Sequence, residues 1–164
     1  MNDDFYIIIP SRIGSTRLKN KPLIDINGES LIQRVFKNAL NISPNTFVAT
    51  DSELIAKNLE IITSNVIMTA NEHISGTDRV HEAATKLNLN EQTLILNLQG
   101  DEPFIPNDLI SQMKNNFYSL SCDIVTASNP LKSIEDIHNP SCVMVEVDES
   151  NYAKQFLRTG SLNN

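Results

Sequence analysis

Arg12, Arg17, Lys19 and Lys21 stand in one segment, Ser11 to Lys21, that contains no acidic side chain. Guanidinium forks grip phosphate oxygens in pairs. The hydroxyls of Ser15 and Thr16, and backbone freed at Gly14, add further donors, so this segment can surround a polyphosphate. A solvated basic turn would have the same composition. It is not a Walker loop, because no glycine directly precedes a Lys-Ser/Thr pair, and it lacks the G-x-G-x-x-G dinucleotide fingerprint. Further along, Asn97-Leu-Gln-Gly-Asp-Glu-Pro103 closes an apolar run. Asp101 and Glu102 there offer hard carboxylate oxygens of the kind that hold Mg²⁺ between protein and phosphates, and an exposed Asp-Glu-Pro turn is the alternative. Between these lies His73-Ile-Ser-Gly-Thr-Asp-Arg79, leading into a helical pattern. The free N–H groups of a helix start, the hydroxyls of Ser75 and Thr77, and Arg79 suit an anion or a base edge. A helix cap by Thr77 or Asp78 explains part of the same segment.

The scarce residues concentrate in these segments. The chain has five arginines against 20 asparagines, yet Arg12, Arg17 and Arg79 all fall here, as do Gly14, Gly76 and Gly100. Other candidates carry less. His81-Glu82 lacks the H-E-x-x-H spacing of a zinc helix, and His138 sits beside a proline turn. Cys122 and Cys142 are far apart with no second pair, which suggests ordinary buried thiols rather than a disulfide framework or a zinc site.

The elements that must position these residues follow from periodicity. Phe5-Tyr-Ile-Ile-Ile-Pro10 is an apolar run ended by proline, the pattern of an interior parallel strand. Leu31, Ile32, Val35, Phe36 and Ala39 recur at helical spacing. Further strands are expected at Thr46–Thr50, Val66–Met68, Thr93–Leu98, Asp123–Ala127 and Val143–Val147. Helices are expected over Leu54–Leu59, capped by Asp51 or Ser52, over Thr77–Leu87, and after Pro106 through Leu109, Ile110 and Met113. A short helix or turn is expected near Ser133–Ile137. Strands alternating with helices imply a three-layer αβα architecture with a mostly parallel sheet, whose ligands bind where loops leave the carboxyl ends of strands.

The 164 residues, 40% hydrophobic and 20% charged, suffice for one globular domain. The net charge of −7 argues against a general binder of nucleic acid or anionic membrane. The +4 loop within it is a local feature. Phe5 to Ile9 is too short for a signal peptide or a membrane span, so a cytoplasmic chain is expected.

Nine segments taken in order are similar to one known family. They are Ile9-Pro-Ser-Arg12, Ser15-Thr-Arg-Leu18, Lys21-Pro-Leu23, Ile26-Asn-Gly28, Val48-Ala-Thr-Asp51, Met68-Thr69, His73 with Ser75-Gly-Thr-Asp-Arg79, Gln99-Gly-Asp-Glu-Pro103 and Asn139-Pro140. Together they resemble the 3-deoxy-manno-octulosonate (KDO) cytidylyltransferases, the CMP-KDO synthetases of lipopolysaccharide biosynthesis. The resemblance implies a Rossmann-like nucleotidyltransferase domain in which the anomeric hydroxyl of KDO attacks the α-phosphate of CTP and pyrophosphate leaves. It implies Arg12, Arg17, Lys21 and Asp101 as catalytic residues. The first three would neutralise the triphosphate, and Asp101 would ligate Mg²⁺. Pro10 and Ser15 would also bind nucleotide. Ala49, Thr50, His73, Ser75 and Arg79 would surround the cytidine, and Gln99, with Arg17, would reach the sugar.

The chain departs from the family pattern at Lys19-Asn20, where Pro-Gly is usual, and at Gln155–Leu162, where a proline-rich stretch is only echoed. The family's remaining third, a sugar-binding and dimer-forming part with a second metal carboxylate, is absent, so residues 1–164 read as a nucleotide-binding domain truncated before it. The family implies a homodimer formed by that absent part. The alternatives are an inactive CTP-binding or interaction module, and a cytidylyltransferase for a related sugar acid such as 8-amino-KDO.

Overall fold

The computed structural model describes residues 5–14, 18–120, 122–139 and 142–158. They form two compact units divided between Asn107 and Asp108. The first unit is built on β1 (Tyr6–Ser11), whose Ile7, Ile8 and Ile9 are completely buried. A two-stranded hairpin follows, β2 (Asp25–Ile26) and β3 (Glu29–Ser30), then α1 (Leu31–Leu40), β4 (Thr46–Thr50), α2 (Glu53–Glu60), β5 (Val66–Met68), α3 (Gly76–Lys86) and β6 (Ile95–Asn97). The main sheet has the order β5-β4-β1-β6, every pairing parallel. That is the mostly parallel sheet flanked by helices expected from the alternating pattern, with β1 and β4 in the interior where continuous apolar runs belong.

Strand alternation assigns the two faces. Ile8, Ala49 and Ile67 join Val80, Ala83 and Ala84 of α3, its C-cap Leu87, and Ile95 of β6 in one apolar cluster. The alternate residues Ile7, Ile9 and Val48 are equally buried, and α1 and α2 pack on β1 and β4 through Ile32, Val35, Phe36, Ile55 and Leu59. Helix α1 starts at a capping box in which Ser30 Oγ accepts from Gln33 N and Gln33 Oε1 accepts from Ser30 N. Such reciprocal caps satisfy two of the orphan N–H groups at a helix start. The β2–β3 turn was not anticipated. Asn27 and Gly28 both take positive φ, 52° and 84°, as the two-residue turns favoured in hairpins require.

The second unit holds α4 (Asn107–Ser119) from Asp108 onward, a short α5 (Ile134–His138), and an antiparallel pair, β7 (Met144–Val147) with β8 (Ala153–Leu157). The expected strand at Asp123–Ala127 does not form, and Ile124 is exposed. The β-branched side chains there favour extended backbone, but no neighbouring strand pairs with it among the described residues. Strand β6 is shorter than the run Thr93–Leu98 suggested, and α3 begins one residue earlier than expected. No helix among the described residues is long and apolar enough to cross a membrane.

Candidate functional site

Two adjoining clefts open at the carboxyl ends of β1 and β6, both within the first unit, and they share Pro10, Ser11, Arg12 and Gln99. The smaller, about 190 Å³, is completed by His73, Ser75, Gly76 and Arg79. The larger, about 640 Å³, is completed by Gly14, Leu18, Lys21, Gly100 and Asp101. The basic loop and the Asp101 turn therefore face one space, and the His73–Arg79 segment faces the other. Ser15 and Arg17 lie outside the described residues. Ala49 and Thr50 line neither cleft; both are fully buried in β4, and the Thr50 carbonyl accepts from Thr69 N.

Two close approaches shape the walls. A Cβ on Gly100 would lie 3.0 Å from the carbonyl oxygen of Pro10, and one on Gly76 would lie 3.2 Å from Pro10 Cγ. The glycines thus let the β6 turn and the start of α3 close against the end of β1.

In the larger cleft Lys21 Nζ donates to Asp101 Oδ2 at 2.5 Å, both side chains remaining well exposed. Arg12 is exposed and has no ion-pair partner among the described residues. No three His, Cys, Asp or Glu side chains converge on a metal-sized space among the described residues. Asp101 alone offers one carboxylate at the cleft margin. That donor set fits Mg²⁺ of the kind whose shell is completed by substrate phosphates and water.

In the smaller cleft the charges are tightly held. Arg79 is buried, with 2% of the residue exposed. Its guanidinium donates to Asp51 Oδ2 at 2.6 Å, to Thr69 Oγ1 and to the Ala70 carbonyl. It therefore ties the first turn of α3 to the ends of β4 and β5. Asp51, one of the two expected caps of α2, is spent on this pair, and Ser52 is the N-cap, accepting from Ile55 N. Similarly the N-cap of α3 is Ser75 rather than Thr77 or Asp78. Ser75 Oγ accepts from Asp78 N, while Asp78 Oδ2 accepts from Ser75 N and Oγ. These hydrogen bonds, the one from the Ser75 side chain first, hold the Asp78 carboxyl below its ordinary range. Gln99 Nε2 donates to Asn97 Oδ1, and Asn97 Nδ2 to Thr77 Oγ1.

His73 is fixed from behind. Its Nε2 meets Glu82 Oε2, which also accepts from Ala70 N at 2.9 Å, while Glu82 Oε1 pairs with Lys86 Nζ at 2.7 Å. Hydrogen bonds from Lys86, then His73, then the Ala70 N–H hold the Glu82 carboxyl down to about 2 from its ordinary 4.5. A depressed carboxyl contributes stability that is present above its unfolded pKa and lost as pH falls through its folded one. Unfolding midpoints in urea should therefore decline between about pH 4.5 and pH 2. Glu82→Gln should flatten that decline; an unchanged slope in the variant contradicts the network's role.

Sequence reasoning missed Ser11 and Glu82. Ser11 lines both clefts, and its Oγ is buried without a hydrogen-bond partner among the described residues. Nothing in its sequence context distinguishes it from the neighbouring loop hydroxyls. Because an orphaned buried hydroxyl costs about 1–3 kcal/mol, Ser11→Ala should leave the free chain as stable or up to about 1 kcal/mol more stable. A clear loss of stability in urea melts would mean that the hydroxyl has a partner.

The comparisons with known proteins agree with this geometry. A family model described as cytidylyltransferase matches residues 6–161. The 3-deoxy-manno-octulosonate cytidylyltransferase of Francisella tularensis subsp. novicida (strain U112) is 41% identical over 157 residues, covering 94% of this chain and 63% of that protein. Its counterpart in Francisella tularensis subsp. holarctica (strain FTNF002-00 / FTA) is 40% identical over the same length. The chain thus spans 63% of the length of these curated relatives. Among solved structures, a CMP:2-keto-3-deoxy-manno-octonic acid synthetase complexed with CTP superposes with a TM-score of 0.76. Its identity is 32%, and the match covers 96% of this chain and 65% of that one. The bifunctional IspDF from Campylobacter jejuni shares the fold alone, at TM-score 0.55 and 15% identity, over 71% of this chain and 31% of that one. With the parallel sheet, the paired clefts and a family match running from the first strand almost to the last residue, the chain belongs to the cytidylyltransferase family.

Proposed function

We propose that this chain binds CTP across the two clefts and serves the transfer of its cytidylyl group to KDO, giving CMP-KDO and pyrophosphate. The observation that carries this reading is the meeting of Arg12, Lys21 and Asp101 around one open cleft that continues into a second, smaller and more enclosed one. A triphosphate needs several fixed cations, and a pyrimidine nucleoside needs a walled slot beside them. The relatives' names, and the CTP in the structural relative, point the same way.

In this reading the anomeric hydroxyl oxygen of the sugar acid attacks the α-phosphorus. An O–P bond forms, the bond between the α- and β-phosphates breaks, and the hydroxyl proton is released. Such a transfer depends on positioning and charge neutralisation more than on a side-chain nucleophile. Arg12 and Lys21 bind the phosphate oxygens, Lys21 exchanging its contact with Asp101 for one with the ligand. Arg17 is assigned the same role by family resemblance. Asp101 would hold Mg²⁺, which supplies charge neutralisation on the phosphates when bound. The helix start at Ser75 and Gly76, with His73, bounds the nucleoside; Gln99 stands on the wall common to both clefts, and the family resemblance assigns it to the sugar acid as well. A cytoplasmic location goes with this reading, since the reaction draws on CTP.

Pyrophosphate release with CTP, KDO and Mg²⁺ tests the reading. Release that depends on all three supports it. Firm CTP binding without release above a no-sugar control would favour a second reading, a CTP-binding module without turnover. Turnover with 8-amino-KDO in place of KDO would reassign the acceptor.

A further inference from the structure

Resting on the reading that the smaller cleft takes the pyrimidine, we propose that Glu82 is a positioning residue that fixes the tautomer of His73, so that the cleft selects a ring carrying an amino donor over one carrying a keto oxygen. Glu82 lies on α3 with no place in the cleft wall, yet both its oxygens are engaged. Oε1 pairs with Lys86, and Oε2 accepts from Ala70 N and meets His73 Nε2. An ionised carboxylate has only lone pairs to offer, so the imidazole nitrogen facing it must carry the hydrogen. In a neutral imidazole the other nitrogen, Nδ1, is then a bare acceptor. His73 lines the cleft, and its Nδ1 has no hydrogen-bond partner among the described residues. It is the ring nitrogen left for a ligand.

Cytosine and uracil differ at position 4, where cytosine presents an amino group and uracil a carbonyl oxygen. A bare Nδ1 completes a hydrogen bond with the first and meets the second lone pair to lone pair. A site built to accept a hydrogen bond rejects the analogue that lacks the donor, because both partners are then left unpaired. One such contact separates ligands by about 10- to 100-fold in affinity. Lys86 and the Ala70 N–H keep the carboxylate ionised and aimed, so the tautomer is set by groups that never touch the ligand.

Two measurements test this. The ¹⁵N spectrum of the His73 ring in the free chain at pH 8 should show hydrogen on Nε2 and a bare Nδ1; hydrogen on Nδ1 overturns the proposal without reference to any ligand. Calorimetric titration with CTP and UTP should then compare the unaltered chain with Glu82→Gln, whose amide can donate or accept and so releases the ring to either tautomer. The UTP-to-CTP ratio of dissociation constants should fall about tenfold in the variant, CTP weakening and UTP strengthening. A role for Glu82 in stability alone would weaken both nucleotides together and leave the ratio unchanged, which overturns the proposal while the CTP reading stands. Failure of the unaltered chain to bind CTP overturns that reading, and the selectivity with it.

Discussion

Lys21→Met is expected to weaken CTP binding by about 10- to 100-fold while changing the stability of the free chain by less than about 1 kcal/mol. The asymmetry follows from the ion pair with Asp101. In the free chain Lys21 and Asp101 meet at 2.5 Å, but with 38% and 49% of their side chains exposed. An exposed pair in high dielectric contributes little to folding. In the proposed complex the same ammonium would meet triphosphate oxygens, where a charge-assisted hydrogen bond is worth more. Removing it also takes from the Asp101 carboxylate the ammonium that faces it. Titration calorimetry and urea melts on one preparation separate the two effects. A variant that binds CTP normally would remove Lys21 from the site, and one that unfolds easily would make the pair structural.

Arg79→Ala should show the opposite profile, a loss of about 3–5 kcal/mol in stability whether or not nucleotide is present, because it strands a partly buried carboxylate. The Arg79 side chain is 3% exposed and that of Asp51 19%. The guanidinium's donors are divided between Asp51, Thr69 and Ala70, so α3 loses its tie to β4 and β5 when the side chain is cut back. Replacing both partners by apolar residues, as in Asp51→Leu with Arg79→Met, should recover much of the loss, since well-packed apolar pairs often equal a buried ion pair. The family resemblance implies a contact of Arg79 with cytidine; its hydrogen bonds make it first a clamp on the wall that bounds the cleft. Urea midpoints of the single and double variants decide. A single-variant loss below about 1 kcal/mol would show that the clamp contributes little.

How far the sequence revealed all this depends on whether the signal was local. The triple isoleucine of β1 is legible because an interior parallel strand must be apolar on both faces, and Ile7, Ile8 and Ile9 are all fully buried. Strand β8 was illegible, since Ala153–Leu157 mixes lysine, glutamine and phenylalanine and pairs only because β7 lies beside it. Asp123–Ala127 failed in reverse, with strand-like composition and no pairing edge. The Asn27-Gly28 turn was there to be read, as this dipeptide is the strongest short hairpin signal. Arg12, Lys21 and Asp101 could be found from charge and glycine placement, and the structure brings them to one cleft. Glu82 could not, because its importance lies in three partners that only the fold assembles. The caps show the same limit. Ser52 follows Asp51, which pairs with Arg79 instead of capping, and Ser75 stands three residues before Asp78, which completes the capping box from the N3 position.

The central claim, that the paired clefts form one CTP site, is tested most directly by calorimetric titration of the chain with CTP in the presence and absence of Mg²⁺. One saturable site per chain, tightened by Mg²⁺, with the Mg²⁺ effect lost in Asp101→Asn and the affinity reduced in Lys21→Met, is the expected result. No saturable heat with CTP under either condition, or binding unaffected by both substitutions, would contradict it.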